Sequence, residues 1–338
     1  MGRDPAPLVV RFGRLGDLVL TWPALRALAE REGPVDLVTS ARYGGLMASL
    51  PWVREVWTVE GLGGSAGARE VLALARALRA AGPWRVIDLH GSLRSRLLCG
   101  ALGGAGRRVH KASLPRRLRV GLRIGARRIR LDPKQPARSF PRRFLDAIGA
   151  DAGADDVPRM PWPDSAPRPE NPPALALLPG ARRATKRWPA ASYGALARGW
   201  QARHGGPARV FHGPGEEALA EAVIEAAGGA AERFVDLDLG AHLRGMAACR
   251  VAVGGDSGLL HLAAAAGASP LGLFGPTGAE MGYWPWRDAG RALTPDLPCH
   301  PCSLYGDDAC PLEHHACLAE LEPAQVLDQA SALLGVGR

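Results

Sequence analysis

The chain has 338 residues, 47% of them hydrophobic, and 42 Lys+Arg against 33 Asp+Glu give it a formal net charge of +9. That apolar content excludes a disordered chain, and about 150 residues per domain suggests two domains whose cores need no disulfide or metal staple. No apolar run approaches the roughly 20 residues of a membrane span, and MGRDPAPLVVRFGRLGD carries charges where a secretory leader has its apolar core, so a mature, unsecreted protein is expected.

From the start, short β-rich runs alternate with helical stretches. LVVRF (8–12), VDLVTS (35–40), VREVWTV (53–59) and RVIDLH (85–90) read as strands. Residues 17–32, 42–50, 67–81 and 92–103 have helical spacing between them. Such a βαβ series implies a parallel sheet. Residues 158–173 hold seven prolines, which can continue neither a helix nor a central strand, and read as a linker. The pattern then restarts with strands at 174–179, 208–213, 234–238, 251–256 and 270–275. Helices follow at about 189–204, 216–228, 240–249 and 257–266, and a last helix at 323–336. The organisation is an N-terminal domain 1–157, a Pro-rich linker 158–173 and a C-terminal domain 174–338, both domains doubly wound. Open α/β units bind ligands outside the carboxyl ends of their strands, which predicts a cleft between the two sheets.

The charge is unevenly placed. Residues 1–165 hold 28 Lys+Arg and 15 Asp+Glu, a net +13, whereas 166–338 hold 14 and 18, a net −4. Within the first half, 107–143 carries 14 basic residues against Asp132 alone. Such a concentration suits a polyanion: nucleic acid, an acidic membrane surface or a phosphorylated glycolipid. Against nucleic acid, the segment interleaves few aromatics and so lacks stacking platforms.

Four loops carry candidate chemistry. Gly13-Arg14-Leu15-Gly16-Asp17 has two glycines and not the three of a dinucleotide fingerprint; Asp17 there is either a helix cap or a base for a substrate hydroxyl, and spacing alone favours the cap. Gly180 to Pro189 gathers Arg182, Arg183, Lys186 and Arg187 with Thr185 at a helix start, an anion cradle that lacks the glycine before Lys186 required by a P-loop. Gly254 to His261 opens a helix whose free amides can hold a diphosphate, with Ser257 and His261 on one face. Its Gly-Asp-Ser-Gly also occurs in trypsin-like proteases, but those are β-barrels, and this serine opens a helix in a parallel α/β unit without a GxSxG elbow. Asp236 and Asp238 make a weak metal-pair candidate, better read as one strand face or its end. Finally, Cys299, Cys302, Cys310 and Cys317 crowd into 19 residues, a spacing compatible with structural zinc or with reduced thiols. Cys99 and Cys249 read as core residues.

Taken together, RFGRLGDLVLTWPALRAL (11–28), LLPGARRATKRWP (177–189), HGPGEE (212–217), VGGDSGLLHLAAAAG (253–267), LFGPT (273–277) and the cysteine tail resemble glycosyltransferase family 9, the ADP-heptose:lipopolysaccharide heptosyltransferases, over essentially the whole chain. The resemblance implies a GT-B fold: two Rossmann-like doubly wound parallel-sheet domains facing across a cleft, the first for the lipid A–core acceptor and the second for ADP-heptose. It implies inverting, metal-independent transfer at the cytoplasmic face of the inner membrane, with its anionic surface as a partner. Carried over by position, Asp17 is the base and Lys186 lies on the donor diphosphate, with Gly180, Ala181 and Thr185 nearby. Glu217 or Glu216 falls on the ribose, and Asp256, Ser257, Gly258 and His261 surround the ADP and sugar. Arg14, Arg94, Ser95 and Lys111 fall on the acceptor side.

Overall fold

The computed structural model describes residues 5–60, 64–110, 120, 122–124, 127–129, 139–151, 153–163, 169–284, 286 and 289–335. It divides into two compact units, Met1–Lys111 with Phe140–Pro161, and Ala112–Ser139 with Trp162–Arg338.

In the first unit, strands β1 (Ala6–Val10), β2 (Val35–Ser40), β3 (Val53–Val59), β4 (Trp84–Asp88) and the short β5 (Arg107–Arg108) form a sheet in the order β3-β2-β1-β4-β5. Every pairing is parallel. The helices are α1 (Leu15–Val19), α2 (Trp22–Glu32), α3 (Gly44–Ala48), α4 (Gly64–Ala81), α5 (Leu93–Ala101) and α6 (Phe140–Ile148). β1 and β2 are buried almost throughout, as expected of strands covered on both faces. The single helix expected at 17–32 is two. Pro23 cannot donate and its ring excludes the carbonyl of residue 19, so the chain turns at Thr21, whose hydroxyl donates to the Leu18 carbonyl at 2.5 Å, before α2 begins. α6 returns to pack against α2, and Arg31 reaches the Ile148 carbonyl at 3.4 Å.

In the second unit, β6 (Leu122–Ile124) and β7 (Arg127–Ile129) form an antiparallel hairpin. The main sheet is β8 (Ala174–Leu178), β9 (Ala208–Val210), β10 (Ala231–Arg233), β11 (Cys249–Gly255), β12 (Ser269–Leu273) and β13 (Arg291–Leu293), in the order β10-β9-β8-β11-β12-β13. It too is wholly parallel. Around it run α7 (Ala190–His204), α8 (Glu217–Ala227), α9 (Leu239–Ala247), α10 (Gly258–Ala266), α11 (Ala316–Ala319) and α12 (Pro323–Ala332), the last continued by a single 3₁₀ turn to Gly335. Its core gathers Leu175, Leu177, Trp188, Trp200, Val251 and Leu271.

One expected strand is misplaced. Residues 234–238 lie beyond β10 as loop, because the Asp236 carboxylate accepts the Asp238 N–H at 2.9 Å and Asp238 caps α9 by accepting from the Ala241 N–H at 3.0 Å. Asp side chains that bond neighbouring backbone compete with ladder pairing. Both aspartates therefore serve a turn and a cap, not a metal pair. Cys99 and Cys249 are fully buried as expected, and burial pushes each thiol up to about 12.

Candidate active site

Most of the described candidate side chains sit on the loops, or in the first turns of the helices, that follow the carboxyl ends of parallel strands, the edge where doubly wound sheets bind ligands. In the first unit the loop after β1 delivers Arg11 and Asp17. The Arg11 side chain is 5% exposed, and its Nη2 lies 2.8 Å from Oδ2 of Asp17, which is 28% exposed. Its Nη1 donates to the Leu89 carbonyl at 2.6 Å, and the guanidinium lies 5.1 Å over the Phe144 ring. Asp17 stands in the first turn of α1, but the N-cap position is Arg14, and no side-chain cap bond is made. The cap reading of Asp17 is thus corrected: its carboxylate is turned to a buried arginine. Arg14 itself is exposed. Gly13 has φ +125°, and a Cβ there would meet the Tyr43 ring at 2.6 Å, so glycine is required at this turn.

The loop after β4 is organised by buried Asp88. Oδ1 accepts from the backbone N–H of His90 and Gly91 at 3.0 and 2.8 Å, while Oδ2 accepts from Ser95 Oγ at 3.1 Å and Arg108 Nε at 3.2 Å. Ser95, expected at the acceptor, is fully buried and forms a capping box with Ser92 at the start of α5. Arg94 is half-buried on that first turn. Lys111 lies outside the described residues. Within the basic stretch 107–143, three arginines have partners inside the first unit. Arg108 pairs with Asp88 and Arg142 with Asp146. Arg143 stacks over Phe140 at 4.9 Å, and a Cβ at Gly149 would meet Arg107 Nη1 at 2.1 Å.

In the second unit, Lys186 Nζ lies 2.6 Å from Asp256 Oδ2, with the two side chains 13% and 10% exposed. Thr277, fully buried on the loop after β12, donates to the same oxygen at 3.0 Å. Burial raises the Asp256 carboxyl, but the Lys186 ammonium, helped by His261 and the Thr277 hydroxyl, outweighs it and holds the group below the usual carboxylate range. Gly254 and Gly255 let this loop lie close: a Cβ on Gly255 would fall 2.2 Å from the Lys186 carbonyl. Ser257 is the N-cap of α10 without a cap bond, and its Oγ is buried with no partner among the described residues. Gly258 begins that helix, whose free N–H groups face the same loop end. His261, 4% exposed, accepts from Trp286 Nε1 at 3.3 Å.

The two glutamates part company. Glu216 turns inward to accept the Gly213 N–H at 2.9 Å, and a Cβ on Gly180 would lie 2.0 Å from its Oε2. Glu217 is exposed and accepts the Gly215 N–H at 3.1 Å. Backbone N–H groups of Glu217 itself and of Gly215 hold that carboxyl below its usual value. Ala181 is 4% exposed, its carbonyl bonded by Arg187 Nε at 2.8 Å. Thr185 is also buried; its hydroxyl donates to the Asp307 carbonyl at 2.7 Å and accepts the Asp307 N–H at 2.8 Å. Gly306 and Asp307 carry no sequence signal, whereas Thr277 has one in the hydroxyl of LFGPT and His315 one in its place among the tail cysteines.

Cys299, Cys302, Cys310 and Cys317 line one cavity with His300 and His314, and all four are free thiols. Burial and the neighbouring Cys302, Cys299 and Cys310 push the Cys317 thiol up to about 12. The donor types suit a thiophilic ion, but among the described residues no three His, Cys, Asp or Glu side chains are gathered to hold one. The zinc expectation is therefore not carried by this geometry.

Comparison with known proteins agrees with the fold. The solved structure of ADP-heptose LPS heptosyltransferase II from Escherichia coli aligns with 97% of this chain and 98% of its own at TM-score 0.71 and 20% identity. Both have the two doubly wound α/β units of the GT-B class. The model of glycosyltransferase family 9 (heptosyltransferase) matches residues 71–311, so the chain belongs to that family and is a glycosyltransferase. Lipopolysaccharide heptosyltransferase 2 of E. coli is 26% identical over 357 aligned positions, covering 97% of this chain and 98% of that protein. Lipooligosaccharide heptosyltransferase 2 of Campylobacter jejuni is 37% identical over 90 residues, a match that spans 27% of that relative's length. Lys186, Asp256 and Thr277 fall inside the family match, while Asp17 precedes it.

Proposed function

We propose that the protein transfers a heptose from ADP-heptose to the inner core of a lipopolysaccharide, inverting the anomeric centre and using no catalytic metal. The observation that carries this reading is the donor loop inside the family match: Lys186 paired with Asp256 at the open N-terminus of α10, beside the unpartnered Ser257 hydroxyl. A cation and helix amides are what a departing diphosphate needs. Glu216, tucked against Gly180, is the better placed of the two glutamates for the nucleotide ribose.

Asp17 supplies the base. One carboxylate oxygen is held by Arg11, and the other has no partner among the described residues. In the reaction, the acceptor hydroxyl gives its proton to Asp17 as its oxygen bonds to the anomeric carbon from the face opposite ADP. The bond from that carbon to the β-phosphate oxygen breaks, and its electron pair leaves on ADP, where Lys186 and the α10 amides meet the charge. Arg14 and Arg94, with the excess positive charge of residues 1–165, attract the phosphorylated acceptor and the anionic cytoplasmic surface of the inner membrane. Among the described residues no helix is long and apolar enough to cross that membrane.

Incubation with ADP-heptose and a panel of truncated lipopolysaccharide cores, read by mass, should add one heptose to one truncation. Calorimetry should show binding of ADP but not of UDP or GDP. Preference for another nucleotide, or no transfer to any core, would replace the substrate assignment.

A further inference from the structure

The transfer chemistry leaves the four-cysteine tail unused, yet the tail is tied to both sides of the Lys186–Asp256 pair. On the lysine side, Thr185 exchanges two hydroxyl bonds with the Asp307 backbone and donates its own N–H to the Asp307 carbonyl at 3.1 Å. His315 Nε2 donates to the Thr185 carbonyl at 2.9 Å, and Arg183 pairs with Asp308 at 2.7 Å. Gly306, at φ +76°, passes so close over the lysine stem that a Cβ there would lie 2.8 Å from Lys186 Cγ and Cδ. His315 itself sits at φ +45°, a region non-glycine residues avoid. On the aspartate side, His300 Nδ1 donates to the Gly275 carbonyl at 2.7 Å, and the Cys302 and Ser303 N–H groups both donate to the Pro276 carbonyl at 2.9 Å. The next residue, Thr277, holds Asp256.

We propose that residues 299–317 are a strap that sets the Lys186–Asp256 pair for the donor diphosphate, with Thr185 and His315 as positioning residues. Thr185 then acts through Lys186 rather than on the donor, since its hydroxyl is already committed to Asp307. The proposal rests on the reading of this loop as the donor site. It also explains why a polar residue is buried beside the lysine: bonds to its hydroxyl fix the 3₁₀ turn Ala184–Lys186.

The test uses Thr185→Val, Thr185→Ser and His315→Ala in the full chain, each checked by thermal unfolding. Thr185→Val should weaken ADP binding about tenfold, or about 1.4 kcal/mol, through the loss of both hydroxyl bonds to Asp307, and leave the acceptor KM unchanged. Thr185→Ser should restore ADP affinity to within about twofold. In a Lys186→Ala background neither Thr185→Val nor His315→Ala should weaken ADP further, because coupled residues are not additive. An undiminished effect in that background would overturn the proposal and make Thr185 a direct ligand. A second readout does not depend on the donor. The chain has three lysines, Lys111, Lys134 and Lys186, so acylation of Lys186 can be followed by peptide mass, and both strap variants should speed it. Unchanged labelling overturns the strap; faster labelling with ADP binding indifferent to Lys186→Ala keeps the strap and refutes the donor reading.

Discussion

Each unit presents an ion pair at the carboxyl edge of its sheet, and the two pairs are built in opposite senses. In the first, the cation is the anchored member: Arg11 is locked to the Leu89 carbonyl and the Phe144 ring, leaving the Asp17 carboxylate partly open to solvent. In the second, the carboxylate is anchored, by Thr277, and the bond that the Lys186 ammonium makes among the described residues is to Asp256. The member with fewer ties is the one free to change partner. By that criterion the first edge leaves a carboxylate and the second an ammonium able to meet a ligand, the two groups that the proposed transfer uses.

Removing the free member at each edge breaks this contrast most directly. Asp17→Asn should lower kcat about 10²–10⁴-fold, the usual worth of a general base, with ADP affinity by calorimetry unchanged; an equal loss of ADP binding would make Asp17 purely structural. Lys186→Ala should lower kcat/KM about 10²-fold, as loss of one preorganised donor does, and weaken ADP as well. The anchored members should show in stability instead. Arg11→Met leaves a carboxylate without its buried partner, and denaturant unfolding should lose about 3 kcal/mol, with Arg11→Lys recovering part.

Asp256 adds a pH signature. Its carboxyl is held below the ordinary range, so its stabilisation is complete above the unfolded value near pH 4 and lost as pH falls through the lower folded value. The gap in Tm between the parent and Asp256→Asn should therefore hold steady from about pH 7 to about pH 5 and close towards about pH 3. The smallest effect is outside both edges: Asp238→Ala removes the α9 cap and should cost about 1 kcal/mol without touching kcat.

Much of this was legible in the chain. β2 and β3 fall at the residues expected, since runs such as VDLVTS combine β-branched residues with clear boundaries. What failed had local causes. FVDLD has strand-like alternation, but its two aspartates bond backbone instead of extending β10. Arg107–Arg108 is too short and too polar to read as a strand, and pairs only because Asp88 and β4 are already there. The motif loops were found because glycines and charges mark them. Their wiring was not, since Arg11 to Phe144 and Thr185 to Asp307 span well over a hundred residues, beyond any periodicity.

That first span bears on how the protein is made. α6 and the residues after it complete the first unit, carrying the Phe144 ring under Arg11, the Ile148 carbonyl to Arg31 and the Asp155 carboxylate to Arg26. A nascent chain that has emerged only as far as β5 has all five strands of that sheet but no ring beneath its buried guanidinium. At about 5–20 residues per second, synthesis needs several further seconds to supply it. A ribosome-stalled series ending before and after 161 should show protease resistance of the N-terminal unit rising only in the longer chains.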